Sequence, residues 1–132
     1  MPSYVMKKIG CALNERKITI NGANILILGI AYKKNVDDMR ESPSVEIMEK
    51  LRKRGAVVSY SDPHVEVFPA MRSHKFDLKS IEITSGNLKE YDCVVLTTDH
   101  DKFDYDTILK YSNLIVDTRG KFKEKSEKVI KA

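Results

Sequence analysis

Tryptophan is missing from this 132-residue chain, and cysteine occurs only at Cys11 and Cys93. Two thiols so far apart exclude a disulfide framework and fit reduced, partly buried cysteines of a cytoplasmic protein. No apolar run approaches the roughly 20 residues that a helix needs to cross a membrane, and no stretch at the start reads as a signal peptide. The histidines, His64, His74 and His100, lack metal-ligand spacing, so no metal site is expected. The G-x-G-x-x-G fingerprint of an autonomous dinucleotide site is also missing, since Gly29 stands alone before IAYKK. Basic residues do not interleave with aromatics as they do in a strand-tracking groove, so nucleic acid is not an expected partner despite a net charge of +4.

What is present reads as one soluble α/β domain, with 42% hydrophobic residues and a mean hydropathy of −0.37. Its organising stretch runs from Ile25 to Gly55. Ile25 to Leu28 form a continuous apolar run, the pattern of a parallel strand covered on both faces. Ser42 and Pro43 suit a helix N-cap and first helical position, Val45, Ile47, Met48 and Leu51 follow at helical spacing, and Gly55 suits a left-handed C-terminal cap.

The flanking segments extend the alternation. Residues 3 to 16 place Val5, Ile9, Ala12 and Leu13 on one face of a helix that packs on the sheet or continues from something upstream. Asn21-Gly22 is a turn, and Ala56 to Ser61 a second strand closed by Asp62-Pro63. Between residues 64 and 90, Phe76, Leu78, Ile81 and Ile83 suggest short edge strands, followed by a helical turn at Asn87 to Glu90. Cys93 to Leu96 is a buried strand, Asp104 to Tyr111 a short helix, and Leu114 to Val116 a last strand before Asp117-Thr118-Arg119-Gly120. The lysine-rich end is expected to be a solvated tail. Strand and helix in alternation predict a three-layer, doubly wound, mostly parallel sheet preceded by an N-terminal helix.

Candidate chemistry gathers at the strand ends. Lys33, Lys34 and Arg40 sit in the loop after the first strand, where open α/β sheets bind anions. The competing reading is a solvated loop whose lysines pair with Asp37 and Asp38, each pair worth about 0–1 kcal/mol. Arg119 follows the last predicted strand, on the same sheet edge as that loop, so Lys33, Arg40 and Arg119 would converge on one anion. An exposed arginine there is otherwise ordinary surface. No catalytic nucleophile is evident: Cys93 lies in an apolar strand, Cys11 has no basic neighbour, and Asp99-His100-Asp101 reads as a loop.

The segment GIAYKKNVDDMRESPSVEIMEKLRKRGAVVSYSDPHV, with CVVLTTDHDKFD and LIVDTRG after it, resembles the C-terminal domain of the UDP-glucose/GDP-mannose dehydrogenase family. MPSYVMKKIGCALNER resembles the end of that family's central helix, and the K-K-x-V-D-D-x-R-E-S-P form is most similar to UDP-N-acetylglucosamine and UDP-N-acetylmannosamine 6-dehydrogenases.

The resemblance implies a Rossmann-like fold, with residues 1–20 as the end of a linking helix and 21–132 as a nucleotide-sugar-binding domain. Such enzymes oxidise the sugar C6 alcohol to a carboxylate in two NAD-dependent steps, for surface polysaccharide precursors. By position, Tyr32 and Lys33 match a nucleotide-sugar contact, Arg119 a second one, and Arg40 an arginine that reaches the NAD pyrophosphate. The implied ligand is a UDP-N-acetylhexosamine or UDP-glucose, and NAD would be held mainly by an N-terminal domain that these residues do not contain. The family's catalytic cysteine motif is not found around Cys11 or Cys93, so the chain is expected to be inactive alone. Self-association through the first helix is also implied, with Val5, Ile9 and Leu13 left exposed. The alternative is a free-standing regulatory or interaction module that kept the fold without catalysis.

Overall fold

The computed structural model describes residues 2–30, 43–67, 78–122 and 127–131. Five strands form one parallel sheet: β1 (Asn24–Leu28), β2 (Val57–Ser61), β3 (Cys93–Leu96), β4 (Ile115–Asp117) and β5 (Val129–Lys131). Their order is β2-β1-β3-β4-β5, and every neighbouring pair is parallel. The helices are α1 (Pro2–Glu15), α2 (Pro43–Lys53), α3 (Ser85–Lys89) and α4 (Tyr105–Tyr111).

Alternation along the strands divides the core in two. Ile25, Ile27, Cys93, Val95 and Val116 point to one side, where they pack with Ile9 and Leu13 of α1 and Met48 and Leu51 of α2. Leu26, Leu28, Val94, Leu96 and Ile115 point to the other, against Leu88 of α3 and Ile108 of α4. All of these strand residues are inaccessible to solvent, as expected of continuous apolar runs in a sheet covered on both faces. The three-layer, doubly wound expectation is met.

Local signals act as the sequence suggests. Pro43 opens α2, while the Ser42 cap lies outside the described residues. Gly55 ends it with φ of +91°, its N–H donating to the Arg52 carbonyl at 3.0 Å. Thr84 and Asp104 cap α3 and α4 by accepting the Asn87 and Thr107 N–H groups.

Three expectations are corrected. The lysine-rich end is not only a tail, because Val129 and Ile130 pair with Ile115 and Val116 as a fifth strand. The edge strands expected between residues 64 and 90 reduce, among the described residues, to one antiparallel bridge between Val67 and Lys79; Phe76 lies outside them. Val5, Ile9 and Leu13 are buried, not exposed, because they pack into the chain's own core.

The thiols also differ from each other. Cys11 is exposed, whereas burial pushes the Cys93 thiol up to about 12. A thiol reagent such as Ellman's should therefore modify one cysteine rapidly in the native chain and the second only in denaturant, and Cys11→Ser should remove the fast phase.

Gly29, directly after β1, has φ of +83°, and a Cβ there would strike the Thr98 carbonyl oxygen and lie 2.6 Å from the Thr98 Cβ. Glycine is required because the ends of β1 and β3 approach so closely. Gly29→Ala is expected to lower stability by roughly 2–4 kcal/mol, from left-handed strain plus overpacking. Urea denaturation would measure it, and an unchanged midpoint would refute the requirement.

Candidate functional site at the carboxyl ends of the strands

After β1 the chain moves to β2 on one side and then returns to β3 on the other, so β1 and β3 bound a switch point of the sheet. Ligands of open α/β sheets bind outside the carboxyl ends of the strands at such a point. Here those ends carry Gly29-Ile30, Asp62-Pro63-His64, Thr97 to His100, and Asp117 to Gly120.

Two buried carboxylates organise this edge. Asp62 Oδ2 accepts the Ile30 N–H at 2.8 Å and lies 2.9 Å from His100 Nε2, while Oδ1 accepts the His64 N–H at 2.8 Å. The Asp62 N–H in turn donates to Ser80 Oγ at 2.8 Å. His100, fully buried, has its ring 4.6 Å from that of His64 and 5.7 Å from that of Phe103, and its carbonyl accepts the Tyr105 hydroxyl at 2.6 Å. Asp117 is the second carboxylate: Oδ1 accepts the Arg119 N–H and Oδ2 the Phe122 N–H, each at 2.9 Å. It folds the chain after β4 back over the end of the strand.

That turn presents Arg119. Its Nε donates to the Thr97 carbonyl at 2.9 Å, which draws the guanidinium across the end of β3 toward the switch point. Among the described residues the two terminal nitrogens have no partner, so a planar pair of donors is left for a carboxylate or phosphate. Tyr32, Lys33 and Arg40 lie outside the described residues, but Ile30, held by Asp62, is the last described residue before them. A groove of about 450 Å³ beside Asp62 carries Glu66, Glu82 and Asp104 with Lys102, a lining that disfavours an anion. Among the described residues of this edge, the open cationic donors therefore lie on the Arg119 side, away from these carboxylates.

A dinucleotide does not fit the described residues. The space at Gly29 is filled by Thr98, leaving no cradle for a pyrophosphate. Asp62, placed where a ribose-binding carboxylate would stand, is 1% exposed and has both oxygens engaged. Among the described residues no group of three or more potential ligands is placed to hold a metal ion, and no helix is long and apolar enough to cross a membrane.

Residues 26–124 match the sequence family described as the UDP-glucose/GDP-mannose dehydrogenase family, UDP binding domain. The chain belongs to this family. It is 41% identical over 104 residues to the UDP-N-acetyl-D-mannosamine dehydrogenase of Methanococcus maripaludis, an alignment covering 78% of this chain and 22% of that protein. It is 33% identical over 128 residues to the NDP-N-acetyl-D-galactosaminuronic acid dehydrogenase of Ralstonia solanacearum, covering 94% of this chain and 28% of that protein. Among solved structures, UDP-D-ManNAc dehydrogenase from Pyrococcus horikoshii superposes with a TM-score of 0.75 at 26% identity, covering 99% of this chain and 30% of that one. The chain thus spans less than a third of the length of these relatives, all of them dehydrogenases.

Asp62 and His100 were not among the sequence candidates, because Asp-Pro reads as a turn and Asp-His-Asp as a loop. The available signal was position: Asp62 directly follows β2, and His100 lies in the segment that leaves β3. Burial opposes ionisation of Asp62, but the His100 hydrogen bond, the two backbone N–H donors and the His100 charge outweigh it and hold the carboxyl below 3.8. A folded-state pKa lower than the unfolded one stabilises the fold fully above the unfolded value and progressively less as pH falls toward the folded one. Asp62→Asn should therefore cost about 3 kcal/mol at pH 7, and the gap to the parent should narrow below about pH 4. Denaturation at pH 7, 5 and 3 measures it; a gap independent of pH would refute the ionised Asp62 carboxylate.

Proposed function

We propose that this chain is the nucleotide-sugar-binding part of an NAD-dependent UDP-sugar 6-dehydrogenase, taking a UDP-N-acetylhexosamine or UDP-glucose at the carboxyl edge of the sheet. The supporting observation is Arg119, anchored through Nε with its terminal nitrogens open at the switch point, in a chain of the UDP-binding family. In this reading Arg119 grips the nucleotide-sugar, Tyr32 and Lys33, which follow Ile30 in the sequence, contact it as well, and Arg40 reaches toward the NAD pyrophosphate. Asp62 and His100 act as positioning residues, since they fix the point from which that segment departs.

The 132 residues bind without oxidising. Neither thiol suits the nucleophile of aldehyde oxidation: Cys93 is a buried, neutral thiol inside the sheet, and Cys11 is on a helix away from the strand ends. NAD and the redox step belong to other parts of the whole enzyme, with residues 1–20 as the end of the helix that leads to them and 21–132 as the binding domain. Self-association through α1 would have to use its exposed Tyr4, Lys7 and Cys11.

Calorimetric titration of UDP-N-acetylglucosamine, UDP and GDP into the chain tests the reading. Uridine ligands should bind in preference to GDP, and Arg119→Ala or Lys33→Ala should each weaken them about tenfold, the loss of one charge-assisted contact. Equal binding by both variants, or no binding at millimolar ligand, would overturn the proposal for this chain. NADH formation with UDP-sugar and NAD would overturn its catalytic incompleteness.

A further inference from the structure

At the opposite edge of the sheet, four cations from four elements surround a basin of about 760 Å³: Arg16 after α1, Lys89 ending α3, Lys110 in α4 and Lys128 before β5. Among the described residues, Glu127 is the single carboxylate in its lining. Strands of three to five residues, rising about 3.3 Å each, place the basin on the order of 10–15 Å from the Arg119 edge.

Part of this charge has a structural explanation. Arg16 donates to the carbonyls of Asn113 and Glu127 at 3.3 and 3.4 Å, and Lys128 Nζ to the carbonyl of Lys110 at 3.0 Å, where helix ends and turns leave acceptors. A guanidinium has five N–H groups, so the two bonds of Arg16 leave donors over. Lys89 and Lys110 have no such explanation. Their ammonium groups lie 5.2 and 5.4 Å from the centre of the Tyr111 ring, and neither makes an ion pair among the described residues.

Ser112 supplies the independent observation. It is 3% exposed, lies in the basin lining, and its hydroxyl has no hydrogen-bond partner among the described residues. A buried hydroxyl left unpaired costs roughly 1–3 kcal/mol, so such groups ordinarily have a partner. Beside it, the Asn113 amide is already committed to the carbonyls of Lys89 and Tyr91, which fixes the floor.

We propose that this basin is a second anion site, for a compact small molecule bearing two or more linked phosphate groups. A polyphosphate offers several tetrahedral oxygens to a forked guanidinium, separate ammonium points and one hydroxyl. The volume exceeds what a single phosphate fills and lies within the range of small-molecule sites. Among the described residues the lining has one aromatic and no aliphatic residue, so charge and hydrogen bonding, not apolar burial, drive the binding.

Sodium tripolyphosphate is the probe, titrated into the 132-residue chain by calorimetry and by amide NMR. Saturable binding with shifts centred on Lys110 to Asn113 and Lys128 is expected. Lys89→Glu with Lys110→Glu should weaken it at least about tenfold, Ser112→Ala a few-fold, and Arg119→Ala should leave the shifts at Lys110 to Asn113 in place. Absence of saturable binding, shifts confined to the Arg119 edge, or unchanged affinity in the double variant would overturn the proposal. So would sulfate at matched ionic strength binding equally well, which would mark general attraction. Tighter binding of duplex DNA than of tripolyphosphate, lost in the same double variant, would overturn the small-molecule assignment.

Discussion

A carboxylate removed from water needs donors on both oxygens, and at Asp62 they come from three places in the chain. Ile30 reaches it from the end of β1, His64 from its own turn after β2, and His100 from the segment after β3. Hydrophobic packing brings the strands side by side but says little about how their exits are arranged. The Asp62 pairings set those exits, and they tie Ile30, beyond the end of β1, to the middle of the sheet. Asp117 does the equivalent for the exit of β4, where its two backbone contacts aim Arg119. Among the described residues the carboxyl edge is therefore a set of turns pinned by buried acids, with one arginine left to face outward.

The two sheet edges follow from different physics. At the carboxyl edge the charged groups are answered internally, which makes the geometry stiff and leaves a small, directed donor pair. At the amino edge helices α3 and α4 end and the chain passes into β3 and β4. Carbonyls collect there, and cations gather over them in a wide, wet depression. The first arrangement suits recognition of a specific group in a fixed pose, and the second suits attraction of charge with less demand on shape.

The sheet's inner strands and α2 were legible because burial on both faces demands continuous apolar runs, as at Ile25 to Leu28 and Cys93 to Leu96, and because Pro43 and Gly55 mark the helix ends. The fifth strand was not, since Val129 and Ile130 are two apolar residues in a lysine-rich segment, and only the open edge of β4 makes a strand of them. The placement of Arg119 at the exit of β4 was legible because it depends on place in the chain. Asp62 and His100 were not, because what defines them is each other, 38 residues apart. Likewise the burial of Val5, Ile9 and Leu13 depends on α2 arriving against α1, which periodicity in α1 does not reveal.

β5 also bears on the behaviour of this chain in solution. A parallel sheet ending at β4 would present a strand with two large apolar residues, Ile115 and Val116, and unpaired N–H and C=O groups, a template for adding strands from other molecules. The segment that covers it has only three residues, flanked by Lys128 and finished by the exposed Lys131. A strand so short and so charged pairs inward and offers the next chain little to extend. The lysines that looked like a mere solubilising tail therefore guard the sheet against growing into a fibre.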